Sequence, residues 1–157
     1  MKIKLLTIGK TDDKNLQTLI ESYQKRLKHY INFTIEIIPD IKNVKNLSEI
    51  QQKEKEGELI LKKISNTDVL ILLDEKGKEF RSLEFSKYLQ KKMNSGIKQL
   101  VLVIGGPYGF SEAVYKKSSD KISLSKMTFS HQMIRLFVVE QIYRAFTILK
   151  NEPYHHE

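Results

Sequence analysis

No cysteine occurs among the 157 residues, which excludes disulfide staples and thiolate metal sites. The four histidines, His29, His131, His155 and His156, fall in no zinc-like spacing, so no metal is expected. Uncharged apolar runs stay well short of the roughly 18 residues needed to cross a bilayer, so no membrane span is expected. The opening Met1-Lys2-Ile3-Lys4 leads into a short apolar stretch with no signal-peptide cleavage pattern, and a cytoplasmic protein is the expectation. Neither a low-complexity linker nor an internal repeat divides the chain. A single domain over residues 1–157 is therefore expected, long enough to bury a real core.

Acids are the minority charge. Lysine plus arginine is 27 against 19 for aspartate plus glutamate, a net of +8. Lys116, Lys117, Lys121, Lys126, Arg135 and Arg144 crowd a C-terminal third in which acids are few. Such an excess attracts polyanions, nucleic acid before anionic membrane. Lysines decorating solvated faces would give the same total.

Hydrophobic periodicity alternates between two and 3.6 along the chain. Ile3 to Ile8 reads as a strand closed by Gly9, and Leu16, Leu19, Ile20, Tyr23, Leu27 and Tyr30 form a helical stripe. Phe33, Ile35 and Ile37 alternate with polar residues up to Pro39, which predicts a second strand. Ser48 and Gln51 make a capping-box pattern before a helix bearing Ile50, Gly57, Ile60, Leu61 and Ile64. Val69–Leu73 and Leu100–Ile104 are continuous apolar runs, as in strands covered on both faces. Between them, Ser82 is expected to cap a helix that Gly96 ends. A short helix from Ser111 and a brief strand from Lys121 to Ser125 complete the series. The expected fold is one α/β domain with a largely parallel sheet flanked by helices.

The last predicted helix departs from a simple amphipathic pattern. From Met133 to Leu149 the only charges are Arg135, Glu140 and Arg144, and apolar residues cover most of its circumference. A surface helix needs one apolar stripe, so this one must be covered on more than one side. Other elements of the chain or a second subunit would do this; its terminal position favours the second subunit.

In open α/β sheets ligands bind beyond the carboxyl ends of the strands. Three such ends stand out: Leu73-Asp74, Gly105-Gly106-Pro107-Tyr108-Gly109, and Leu124-Ser125-Lys126-Met127-Thr128-Phe129. Glycines after a strand let a ligand approach the backbone. Their spacing matches neither the dinucleotide fingerprint nor the phosphate-binding loop. The third loop, apolar with interspersed hydroxyls, suits an adenine or a thioether better than phosphate. Patterning alone gives a pocket at the edge of the sheet and no named ligand.

Three ordered blocks add a resemblance. Ile104-Gly105-Gly106-Pro107-Tyr108-Gly109, Leu124 through Arg135, and Glu140-Gln141-Ile142-Tyr143-Arg144-Ala145 resemble the signature of the RlmH family. These are knotted SPOUT-superfamily methyltransferases of large-subunit ribosomal RNA. The likeness extends from the Lys2–Lys10 strand to the closing Pro153-Tyr154-His155. It implies a C-terminal trefoil knot, a homodimer built on the last helix, and S-adenosylmethionine as methyl donor without a metal. The implied reaction is methylation of N3 of a pseudouridine in 23S ribosomal RNA within the assembled ribosome. By position, the implied cofactor contacts are Leu73, Gly105, Leu124, Ser125, Lys126, Met127, Thr128 and Phe129.

N3 of a uracil-like ring carries a proton that must leave, and a base tuned near neutrality would assist. His131 and His155 are candidates, each with the alternative of a hydrogen-bonded structural histidine. Arg135 and Arg144 are candidates for holding phosphate or developing charge, although Arg144 can instead pair with Glu140 one turn earlier. Tyr154 is a candidate for stacking on a base, or for anchoring the tail. Two positions depart from the family pattern. Ser130 replaces a common proline and is expected to loosen the helix start, and His156 stands where Arg or Lys is usual. The competing readings are a non-catalytic ribosome- or RNA-binding protein that keeps the fold, and a SPOUT enzyme acting on transfer RNA.

Overall fold

The apolar runs form the centre of a five-stranded sheet in the computed structural model, which describes residues 1–156. The strands are β1 (Lys2–Ile8), β2 (Asn32–Ile38), β3 (Asp68–Glu79), β4 (Gln99–Ile104) and β5 (Asp120–Ser123). Their order is β2-β1-β4-β3-β5, and every pairing is parallel. The helices are α1 (Lys14–Leu27), α2 (Glu49–Lys62), α3 (Ser82–Asn94), α4 (Glu112–Lys117) and α5 (His131–Leu149). Successive strand residues point to opposite faces, so β4 feeds two cores. Leu100, Leu102 and Ile104 pack with α1, α3 and α5, while Val101 and Val103 pack with α2 and α4.

Most local signals act as patterned. Ser48 and Gln51 exchange the two hydrogen bonds of a capping box, 2.9 and 3.1 Å. Gly96 ends α3 with a φ of +77°, a conformation that favours glycine. Three expectations need correction. The N-cap of α3 is Arg81, whose backbone N–H donates to the Glu84 carboxylate at 2.8 Å; the Ser82 hydroxyl donates instead to Gln141 of α5. Ser130 does not loosen α5: its hydroxyl accepts from the Met133 N–H at 3.2 Å and caps the helix.

The third correction concerns α5. It lies on the sheet between α1 and α3, which bury Val138, Val139, Ile142, Ala145 and Phe146. The valines, Ile142 and Phe146 are each worth about 1.5–3 kcal/mol when fully buried. This chain's own helices thus cover much of the apolar circumference, while Phe137 and Ile148 stay only partly buried and Met133 is exposed.

β3 runs six residues beyond its apolar segment. Ile122 of β5 pairs with Leu73 and again with Lys78, so Asp74–Gly77 leave the ladder as an excursion. Gly77 is required there, because a Cβ would lie 2.5 Å from the backbone of Ile122. The charged sequence Asp-Glu-Lys-Gly-Lys-Glu hides this extension from hydrophobic patterning.

Candidate active site

The sheet topology opens a crevice. β3 continues into α3 on one face and β4 into α4 on the other, so their carboxyl-end loops part. A cleft of about 600 Å³ occupies that gap, within the range of small-molecule sites. Three loops surround it: the Asp74–Lys76 excursion, Gly105 to Phe110, and Ser123 to Phe129. Leu73, Ile104, Ile122, Leu124 and Phe129 supply apolar wall, and Ser125 and Thr128 supply hydroxyls. Lys53 of α2 and Tyr115 of α4 also reach the lining. Neither was marked by sequence spacing, because a polar residue on a helix looks the same whether it faces solvent or a cleft.

Of the eight expected cofactor residues, seven line this cleft: Leu73, Gly105, Leu124, Ser125, Met127, Thr128 and Phe129. Lys126 is exposed on the loop and does not line it. The reason for glycine at 105 also differs from the expected one. A Cβ there would meet the ring of Phe110 at 2.9 Å, so the missing side chain makes room for a core aromatic. Gly106 plays the same part for a carboxyl group: a Cβ would lie 2.2 Å from Glu56 Oε2. Glu56 is buried, accepts one bond from Gln52 Nε2 at 3.0 Å, and leaves Oε2 without a partner. Desolvation raises its pKa above the ordinary carboxylate value, a hydrogen bond from Gln52 opposing. At the rim, the Tyr115 hydroxyl donates to Asp74, and burial together with that bond pushes the phenol up to about 12.

The four catalytic candidates are not together. His131, first residue of α5, is exposed at the cleft margin. Arg135, one turn later, points away from the cleft and is buried. It donates to the Ile8 carbonyl at 2.7 Å and to Thr11 Oγ1 at 2.9 Å, and burial lowers its pKa from the usual guanidinium value. Tyr154 and His155 fold back onto the far end of α5. The Tyr154 hydroxyl lies 3.0 Å from both Glu140 Oε1 and the Tyr23 hydroxyl, beneath the Arg144 guanidinium. Arg144 pairs with Glu140 at 2.6 Å, the alternative expected from the sequence, and also reaches His155 Nδ1 at 3.3 Å. Arg144 lies thirteen helical steps beyond His131, about 20 Å along the axis.

That network distinguishes the two histidines. Arg144 can only donate, so His155 Nδ1 accepts and the ring proton of the neutral form resides on Nε2. Nε2, buried with no partner among the described residues, is then a hydrogen-bond donor and not a base. His131 carries no such constraint.

A family model described as predicted SPOUT methyltransferase matches residues 1–155. The chain belongs to the SPOUT methyltransferase family. Within it the likeness to the RlmH group is full-length. The ribosomal RNA large subunit methyltransferase H of Flavobacterium psychrophilum is 75% identical over 157 residues, covering all of both chains. That of Flavobacterium johnsoniae is 73% identical over the same span, and that of Porphyromonas gingivalis 57%. The resemblance read from three sequence blocks is therefore sound across the chain.

Proposed function

We propose that this protein methylates N3 of a pseudouridine in 23S ribosomal RNA, within the assembled ribosome in the cytoplasm, using S-adenosylmethionine. The observation that carries the reading is the cleft beyond β3, β4 and β5 in a chain alike end to end to large-subunit RNA methyltransferases. Its lining suits the donor: apolar walls for adenine and thioether, hydroxyls for ribose, and Asp74 and Glu75 at the mouth for positive charge. S-adenosylmethionine supplies an electrophilic methyl group and departs as a neutral thioether. The chain's own work is to orient the donor, exclude water, and handle one proton as N3 attacks.

The pyrimidine N3–H must pass its proton to a base, and His131 at the cleft margin is the residue free to take it. His155 and Arg144 are donors, suited to the negative charge that develops on the ring carbonyls. They lie too far along α5 to serve the cleft of their own chain. A homodimer that brings the tail of one copy to the cleft of the other would complete the site, with Tyr154 holding that tail or stacking on RNA. The basic excess of +8 suits the RNA. We further infer the trefoil threading of the chain beyond β4, which the family likeness over residues 1–155 supports.

The test is transfer of labelled methyl groups to ribosomes that contain or lack the pseudouridine. The expected result is label in 23S RNA only when the pseudouridine is present; equal labelling of both would refute the assigned target.

A further inference from the structure

A second cavity, about 340 Å³, opens between α1, α5 and the carboxyl ends of β1 and β2. Leu5, Ile20, Ile35 and Ile37 give it apolar wall. Two of its lining groups are polar, at least nine-tenths buried, and unsatisfied. Thr7 is 1% exposed and its Oγ1 has no hydrogen-bond partner; Arg135 is 5% exposed and its Nε–H has none. Buried polar groups without partners are costly, so a native protein that keeps two in one cavity has a use for them. The guanidinium is held rigidly, since Nη1 and Nη2 are engaged by Thr11 and Ile8. Nε is the one guanidinium nitrogen with no partner.

The chemistry of the cavity selects the guest. A phosphate needs several donors and a net positive field. Here Glu21 contributes to the lining, and Asp40 and Asp12 lie close enough to Arg135 to offset its charge. An aliphatic guest would leave Thr7 and Arg135 unsatisfied. A flat ring with apolar faces and carbonyl acceptors on its edge satisfies both requirements, and the amides of Gln17 and Gln24 line the same cavity. This is how single-stranded RNA is read, with unstacked bases placed in pockets and bonded along their edges. Lys10 is placed to meet the adjoining backbone phosphate.

We propose that this cavity receives an unstacked pyrimidine of the RNA substrate, a neighbour of the base that is methylated. The proposal rests on the reading of the protein as an RNA methyltransferase. The guest is not the reacting base, because the two cavities share no lining residue and lie about two strand spacings apart, roughly 10 Å.

The test uses the full chain with labelled isoleucine and threonine methyl groups, titrated with uridine and separately with inorganic phosphate. Uridine should shift Thr7, Ile20, Ile35 and Ile37 saturably, and phosphate should not. Thr7→Val, which keeps the side-chain shape, should weaken the uridine response at least fivefold while S-adenosylhomocysteine affinity stays within twofold. Ile37→Trp, filling the mouth from an exposed strand-edge position, should abolish it. Shifts confined to Ile104, Ile122 and Ile134 around the first cleft, or equal shifts with phosphate, would overturn the proposal. So would no shifts at all, which would leave the cavity to water. Ribosome methylation by the same wild-type protein is read in parallel. Failure there with uridine bound would count against the enzymatic reading alone, and methylation without a uridine response against this cavity alone.

Discussion

The two ends of α5 are built for different tasks. At its N-terminus, Ser130 caps the helix and His131 stands exposed beside a cleft with apolar walls. At its C-terminus, Glu140, Arg144, Tyr154, Tyr23 and His155 form a closed network in which nearly every polar atom has a partner. One end leaves an exposed histidine beside an open cleft. The other end fixes a charged and aromatic cluster whose single unspent atom is His155 Nε2. A methyl transfer needs both a free base and fixed donors, and α5 holds them about 20 Å apart. On the proposed reading, that separation means that a single chain carries two half-sites.

Blocking the cleft should give the largest effect. Thr128→Trp places a large ring among the loop residues from an exposed position. It should weaken S-adenosylhomocysteine binding at least a hundredfold by calorimetry, about 2.7 kcal/mol, while the fold melts normally. Unchanged affinity in the folded variant would place the donor elsewhere. Deleting the chain from Pro153 onward should act only at the other end. Methylation of ribosomes should fall at least tenfold, about 1.4 kcal/mol of transition-state stabilisation, with cofactor affinity nearly intact. A wild-type rate would remove the tail from catalysis and erase the functional contrast between the ends.

Two smaller effects concern stability. Ser130→Ala removes the cap at the cleft end and should cost about 1 kcal/mol in chemical denaturation. A change within error would mean that the first turn is held by packing. The far end should show itself in alkali. Burial first, then bonding to Tyr23 and Glu140, raises the pKa of Tyr154, and its bond to Glu152, followed by burial, raises that of Tyr30. Folded-state values above the ordinary 10.0 of a tyrosine mean stabilisation fully present below that pH and lost as pH rises above it. Tm should therefore fall steeply beyond pH 10.0, and less steeply in Tyr154→Phe. Identical slopes would place Tyr154 outside the alkaline transition.

How much of this was legible in the sequence follows from what each signal depends on. Ser48–Gln51, Ser111 and Gly96 act within one turn of the chain, so composition announced them. The apolar runs 69–73 and 100–104 were legible because a strand buried on both faces permits little else. The covering of α5 was not legible, since the sequence reports how much apolar surface must be covered and not by which neighbour. Gly77 and Gly105 serve contacts with Ile122 and Phe110 that exist only once the sheet is assembled. Arg135 carried the charge expected of a phosphate ligand, yet the register of α5 turns it inward to Ile8 and Thr11. Seven of the cleft residues came from resemblance together with strand-end loops; Lys53, Tyr115 and Glu56, which reach the cleft or brace it from α2 and α4, carried no local mark.

The central claim is that one copy's cleft works with the other copy's tail. It is tested most directly by mixing chains lacking residues from Pro153 onward with full-length chains carrying Thr128→Trp. Each homodimer has lost one half-site in both copies, whereas a mixed dimer owns one intact cleft facing one intact tail. The account predicts that mixing restores labelled methyl transfer to ribosomes well above the sum of the separate preparations. Activity that stays at that sum, with mixed dimers shown to have formed, would contradict it.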